Sequence, residues 1–242
     1  MSTHRFALTK GVLDEPPAAN AQSEFRQAIR VQTSLLAPLE RKCLKWLVER
    51  MPSWVSSDQL TLLGLAAMLF AAVFYLVSRW WAPALLLVNA CLALNWFGDS
   101  LDGTLARARN KQRPRYGYYV DHVIDAIGIL AVVCGLAGSG MMSWTVALAV
   151  LVAYYLLSIE VYLATHALGV FRMSFYKFSP TELRVLLAIG NLKVMLKSTV
   201  RLFDHSYLFF DAGAVVAVLL LFTILAVSIV RNTVYLYRAD RV

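Results

Sequence analysis

Four aspartates near the middle of the chain are the residues whose type and spacing could do chemistry. Asp99 and Asp102 are three residues apart, and Asp121 and Asp125 are four apart, in otherwise apolar segments. On helices these spacings place each pair on one face. A carboxylate at membrane depth is costly unless it is paired or bound to a cation. Such hard oxygen ligands favour Mg²⁺, Mn²⁺ or Ca²⁺, and two ions about 3.5–4 Å apart can neutralise a diphosphate.

Small and basic residues surround these acids. Gly103 and Ala106 leave one helix face without bulky side chains, either for a ligand or for close helix packing. Arg107 can donate to phosphate in a forked geometry, or contact headgroups at a helix end. Gly117 allows the backbone to approach a ligand closely. His122 can act as a base near pH 7, or can be hydrogen-bonded to a neighbouring helix.

The elements that must position these residues are membrane helices. The 242-residue chain is 59% hydrophobic, with mean hydropathy +0.60 and a formal net charge of +8. Soluble domains average about 45–50% apolar residues, so the composition predicts an all-α polytopic membrane protein. We attribute the positive charge to cytoplasmic loops and anionic headgroups rather than to nucleic-acid binding. The three cysteines are far apart and predict neither a disulfide framework nor a zinc site.

Six membrane spans are predicted, since each needs about 20 largely apolar residues. A flexible leader over residues 1–22 and an amphipathic juxtamembrane region over 23–56 precede a membrane domain over 57–242. The spans fall at about 58–78, 82–106, 118–138, 143–168, 182–203 and 208–234.

The fifth predicted span departs from the pattern of the others. Lys193, Lys197 and Arg201 repeat every four residues and would form one basic stripe on a continuous helix. If the segment spans, this stripe faces the protein interior or extends toward the headgroups; if it does not, the number of spans falls.

Basic residues predict the orientation of the spans. They are concentrated in the N-terminal region, in the Arg107–Arg115 and Arg172–Lys177 connections and in the C-terminal tail. The positive-inside rule then places both termini and the aspartates on the cytoplasmic side. Basic residues at this face are candidates for binding a phosphorylated acceptor, or are ordinary cytoplasmic charge: Arg113, Arg115, Arg172, Lys177 and Arg184.

The whole string resembles the signature of the CDP-alcohol phosphotransferases, DxxDGxxAR followed by GxxxDxxxD. The spacer between its halves has nine residues where eight is the form most often quoted, but a connecting loop absorbs one insertion easily. All the fixed positions are present: Asp99, Asp102, Gly103, Ala106, Arg107, Gly117, Asp121 and Asp125.

This resemblance implies transfer of a phosphatidyl or other phosphoalcohol group from a CDP-linked donor to an alcohol hydroxyl, with release of CMP. CDP-diacylglycerol is the preferred donor, because the compact chain is similar to bacterial phospholipid synthases. In the family, the residues matching Asp99, Asp102 and Asp121 hold divalent metal, and Asp125 joins them and is commonly proposed as the base. The stretch from Asp99 to Arg107, with Gly117, would cradle the cytidine and diphosphate.

The resemblance also implies a setting for the reaction. The expected enzyme needs Mg²⁺ or Mn²⁺, with two ions bound. It contacts membrane lipids in the bacterial inner membrane, with its site facing the cytoplasm. Homodimers are common in the family.

Other functions remain open from the sequence. His122 directly follows Asp121, and a similar histidine follows the third aspartate in the branch of the family that joins CDP-choline or CDP-ethanolamine to diacylglycerol. Intramembrane prenyltransferases also bind a diphosphate through aspartate-rich helices, but their acidic motifs are far apart in sequence. A cation or proton carrier would spread polar groups through the membrane depth, whereas these acids cluster toward one face.

Overall fold

The computed structural model describes residues 37–168, 180–202 and 204–239. The predicted leader, the first part of the predicted juxtamembrane region, Arg172 and Lys177 lie outside the described residues. Within the described ranges the elements are α1 Ala37–Arg50, α2 Ser57–Ser78, α3 Ala84–Ala108, α4 Pro114–Gly138, α5 Trp144–Leu168, α6 Pro180–Leu196, β1 Thr199–Leu202, β2 His205–Leu208 and α7 Phe209–Ala239.

Five of the described helices, α2, α3, α4, α5 and α7, are long and apolar enough to cross a membrane. The predicted all-α membrane fold is therefore confirmed, but the prediction of six spans is wrong at residues 182–203. There α6 ends after 17 residues, a length of about 25 Å at 1.5 Å per residue. That is shorter than the hydrocarbon core of about 30 Å.

The chain leaves α6 in an antiparallel hairpin of β1 and β2. The β-branched residues Thr199 and Val200 favour a strand, and Asp204 turns the chain with a φ of 62°. Arg201 lies in β1 opposite Ser206. The predicted basic stripe is consequently broken, because its members do not share one helix.

α6 nevertheless runs along α3 from one end of the bundle toward the other. Near its start, Arg184 Nη2 donates to Asp99 Oδ2 at 2.5 Å. Near its end, Asn191 Nδ2 donates to Asn89 Oδ1 at 2.7 Å. Since Asp99 lies toward the end of α3 and Asn89 toward its start, the two helices are antiparallel.

α7 runs parallel to α5 and returns the chain to the aspartate end. The backbone N–H of Ser143 donates to Asp211 Oδ1 at 2.8 Å where both helices begin. Farther along, Asn232 Nδ2 donates to Glu160 Oε1 at 2.7 Å. The C-terminal end of α7 therefore lies at the same end of the bundle as the aspartates.

Close helix contacts hold α3 and α4 against α2. A Cβ on Gly98 of α3 would lie 2.5 Å from the Leu60 carbonyl oxygen and 2.8 Å from the Gly64 nitrogen. A Cβ on Gly135 of α4 would lie 2.6 Å from the Ala72 carbonyl oxygen. Small residues permit such backbone approach, which strengthens packing between membrane helices. α2 thus fixes the two aspartate-bearing helices relative to each other.

Candidate active site

The end of α3 and the start of α4 carry every motif residue. α3 continues to Ala108, and α4 starts at Pro114, a residue favoured at the first helical position. In the short connection, Asn110 adopts the left-handed conformation with a φ of 53°, which Asn tolerates better than most residues. Both helices pack chiefly on α2. The motif halves therefore lie at one end of the bundle, each on a helix that packs against α2.

Asp102 is held by α2 and by its own helix. Thr61 Oγ1 donates to Asp102 Oδ2 at 2.6 Å. The backbone N–H of Gly103 donates to Asp102 Oδ1. These two bonds, both from within the protein, fix the orientation of the Asp102 carboxylate.

Asp99 is held by α6. Arg184 Nη2 lies 2.5 Å from Asp99 Oδ2, and Arg184 Nε donates to Asn95 Oδ1 at 2.7 Å. Asn95 Nδ2 in turn donates to the Gly64 carbonyl oxygen at 3.0 Å. Of the basic residues proposed from the sequence to bind an acceptor, Arg184 is thus brought directly to an aspartate of the motif.

The four aspartates form one electrostatic cluster. Asp99, Asp102 and Asp121 all lie close enough to Asp125 for their charges to interact with it. In the described part of the chain, however, no group of three or more His, Cys, Asp or Glu side chains is arranged to hold a metal ion. The carboxylates match the hard oxygen donors that Mg²⁺ and Mn²⁺ prefer. Their type fits a metal site, although as placed they do not form a group of three or more that converges on one point.

His122 packs between two aromatic rings. Its centroid lies 4.2 Å from that of Tyr118 and 4.8 Å from that of Tyr162 on α5. Its Nδ1 lies 2.6 Å from the Tyr118 carbonyl oxygen, which favours the tautomer with the proton on Nδ1. These contacts explain His122 as a residue that packs α4 against α5.

The motif glycines border open space. Among the described residues, a Cβ on Gly103 would meet only the guanidinium of Arg107, at 3.4 Å and 4.0 Å, and one on Gly117 would meet nothing within 4 Å. Gly98 differs, because its close contact with α2 leaves no room for a side chain. Close packing therefore does not explain Gly103 or Gly117, and the open space beside them is available to a ligand.

A cavity of about 550 Å³ opens beside Ala106. Arg109 braces its rim, donating to the carbonyl oxygens of Met51 at 3.1 Å and Pro52 at 2.8 Å. Arg113 pairs with Asp58 on the same rim. This hydrogen bond raises the pKa of the Arg113 guanidinium above its usual value. The cavity is lined by Ser53, Trp54, Val55, Ser56, Ser57, Asp58, Leu105, Ala106, Arg109, Lys111, Gln112 and Arg113.

The sequence did not identify Thr61 and Asn95 as site residues. Both are polar residues in largely apolar spans, and this polarity was the one feature of the sequence that could have indicated a role in the site. Their partners, however, come from other helices, so spacing along one helix could not find them. Arg115, a predicted acceptor residue, lies exposed in the first turn of α4.

Two comparisons with known proteins bear on this site. A family model described as CDP-alcohol phosphatidyltransferase matches residues 54–237. An archaetidylinositol phosphate synthase from Pyrococcus horikoshii is 32% identical over 105 residues, which cover 43% of this chain and 52% of that protein. The chain therefore spans about half the length of this curated relative.

Proposed function

Because the chain belongs to the CDP-alcohol phosphatidyltransferase family, we propose that it transfers a phosphatidyl group from a CDP-linked lipid to an alcohol hydroxyl and releases CMP. The observation that carries this proposal is the cluster of four aspartates beside an open glycine face, at the end of α3 and the start of α4. CDP-diacylglycerol is the proposed donor. The product enters phospholipid synthesis.

The donor would bind along the end of α3. Gly103 and Ala106 present a face without bulky side chains, and Gly117 faces open space. Arg107 lies one turn beyond Gly103 and can donate to the diphosphate in a forked geometry. The ribose or base can extend toward the cavity beside Ala106. This arrangement lets the backbone of α3 approach a flat ligand closely.

The acids would hold divalent metal, Mg²⁺ or Mn²⁺, with two ions the expected number. Asp99, Asp102, Asp121 and Asp125 supply the oxygen donors, and Thr61 orients one of them. Bound divalent ions disperse charge on a diphosphate and favour departure of the leaving group. The residues themselves would align the donor with the acceptor hydroxyl.

Asp125 is the proposed base for the acceptor hydroxyl. It lies one helical turn from Asp121, deeper in α4 than the other motif residues. A positioned carboxylate within hydrogen-bond reach of a hydroxyl can take up its proton as the oxygen attacks phosphorus. In this proposal Asp102 serves metal-dependent donor binding, whereas Asp125 adds proton transfer to its share in the metal site.

A phosphorylated alcohol, such as an inositol phosphate, is the proposed acceptor. Arg184 supplies a guanidinium at the Asp99 side of the site, and a guanidinium can donate two parallel hydrogen bonds to a phosphate. The name of the Pyrococcus horikoshii relative supports this acceptor class, since that protein is an archaetidylinositol phosphate synthase. Arg113, on the cavity rim, is a weaker candidate.

The proposed location is the bacterial inner membrane, with the site at the cytoplasmic face. Arg107, Arg109, Lys111 and Arg113 at the aspartate end support this orientation. Homodimer formation stays a prediction from the family resemblance.

A crossed activity panel tests the proposal. Purified protein in lipid nanodiscs is given CDP-diacylglycerol, or CDP-choline with diacylglycerol, together with a series of phosphorylated and free alcohols. CMP release with CDP-diacylglycerol and a phosphorylated alcohol, abolished by EDTA and restored by Mn²⁺ or Mg²⁺, is expected. CMP only with CDP-choline would assign the protein to the aminoalcohol branch. No CMP with any donor, combined with ion flux into vesicles, would support a carrier instead.

A further inference from the structure

Glu40 of α1 is a buried carboxylate on a helix with many exposed charges. Its exposed fraction is 8%, whereas Arg41, Lys42 and Glu49 on the same helix are exposed. Glutamate is almost never fully buried unless it is paired. The burial of Glu40 therefore requires an explanation beyond the amphipathic character of α1.

The contacts of Glu40 join α1 to two other helices. Its Oε1 accepts hydrogen bonds from Trp96 Nε1 at 3.0 Å and Ser100 Oγ at 2.9 Å, both on α3. It also accepts one from Thr181 Oγ1 on α6, at 3.1 Å. Its Oε2 is buried without a hydrogen-bond partner among the described residues. One oxygen thus connects the helix of Asp99 with the first turn of α6.

Glu40 reaches α6 beside the arginine of the site. α3 is fixed on α2 by the backbone contact of Gly98 and by the hydrogen bond from Asn95 to Gly64. The first turn of α6 is joined to α1 through Thr181 and to α3 through Arg184. Thr181 lies three residues before Arg184, so the two share about one turn of helix.

We propose that Glu40 is a positioning residue, which holds the first turn of α6 and thereby sets the place of Arg184 relative to Asp99. The kinetic consequence rests on the proposed function, in which Arg184 binds the acceptor. α1 is then part of the active-site framework. Glu40 itself touches no reacting atom and acts through Thr181.

Kinetics of matched variants test this role. Glu40→Ala is expected to raise the acceptor KM by about 10-fold to 100-fold, since a small misplacement of a binding group has effects of this size. The donor KM stays unchanged. Glu40→Gln keeps an oxygen that accepts the same bonds, so its acceptor KM stays near that of the wild type. Glu49→Ala, an exposed acid on the same helix, is the control and has no effect.

Two outcomes would overturn the role. A lower Vmax with both KM values unchanged would indicate simple loss of folded protein, and equal impairment of Glu40→Gln and Glu40→Ala would indicate a need for charge. If Glu40→Ala does not fold, two variants of Thr181 test the positioning role instead. Thr181→Val removes the hydroxyl donor and should raise the acceptor KM, whereas Thr181→Ser retains it and should not. A wild-type acceptor KM in Thr181→Val would refute the proposal.

Hydrogen exchange of backbone amides tests the positioning role of Glu40 independently of the proposed function. Backbone amides of residues 181–186 should exchange faster in Glu40→Ala or Thr181→Val than in the wild type, while those of residues 90–98 stay unchanged. This readout needs no turnover. A wild type that releases no CMP would refute the proposed function, and unchanged exchange at 181–186 would refute the positioning role.

Discussion

Replacing Gly103 by alanine should leave the fold intact while impairing donor binding. A Cβ at this position meets only Arg107 Nη1, at 3.4 Å, and Nη2, at 4.0 Å. These atoms are the far end of a flexible side chain and can move. Within a helix, alanine is more favourable than glycine by about 0.8–1.0 kcal/mol. The free energy of unfolding should therefore be unchanged, or higher by up to about that amount.

The expected loss of activity has a steric cause. If the donor lies against Gly103 and Ala106, the added methyl group occupies space that the ligand needs. One misfitting methyl or methylene group in a binding pocket costs about 1–3 kcal/mol, which corresponds to about 10–200-fold in kcat/KM. We expect kcat/KM for the CDP-linked donor to fall within this range, measured by CMP release at varied donor concentration.

Gly213 provides the matched control. It is also a helical glycine, near the start of α7, and a Cβ there would meet nothing within 4 Å in the described part of the chain. Gly213→Ala should gain similar stability and keep the wild-type kcat/KM. Thermal unfolding in nanodiscs would verify both folds. Wild-type donor kcat/KM in Gly103→Ala would refute the view that this face binds the donor.

Substitutions elsewhere in the site and its framework should separate binding, turnover and packing. Asp102→Asn should weaken metal-dependent donor binding, whereas Asp125→Asn should chiefly lower kcat; equal losses of donor affinity would contradict this division. His122→Ala should retain near-normal kcat because its ring packs between aromatic side chains, and a large fall in kcat at unchanged Tm would instead indicate a base. Gly98→Ala and Gly135→Ala should each destabilise the fold by about 1–3 kcal/mol through overpacking, since their Cβ atoms would lie 2.5 Å and 2.6 Å from carbonyl oxygens of α2. Donor kcat/KM per folded molecule should fall only for Gly98→Ala, which lies beside Asp99.

Local features of the site were predictable from the sequence because helix geometry fixes them. The spacing of Asp99 with Asp102, and of Asp121 with Asp125, determines which side chains share a helix face. The five long apolar helices were likewise predictable from hydropathy and length. The predicted span at about 118–138 lies within α4, which begins at Pro114 because proline favours the first helical position.

Contacts between helices that are distant in sequence were not predictable. The bonds from Thr61 to Asp102 and from Glu40 to Ser100 depend on how α1, α2 and α3 pack. The error over 182–203 has a related origin. A helical period of four assumes a continuous helix, and the sequence offered no Pro or Gly between 191 and 203 to stop it. The strand preference of Thr199 and Val200 was the weaker signal that decided the structure.

The packing of α6 also ranks the basic residues that the sequence treated alike. The Arg113–Asp58 pair has side chains 52% and 42% exposed, and pairs this exposed contribute little to stability. The Arg184–Asp99 pair is 14% and 27% exposed, so desolvation offsets much of its attraction. A partly buried pair of small net value is poorly explained by stability alone. We propose instead that this guanidinium binds the phosphate of an acceptor, which makes Arg184 the first basic residue to replace in a test of acceptor binding.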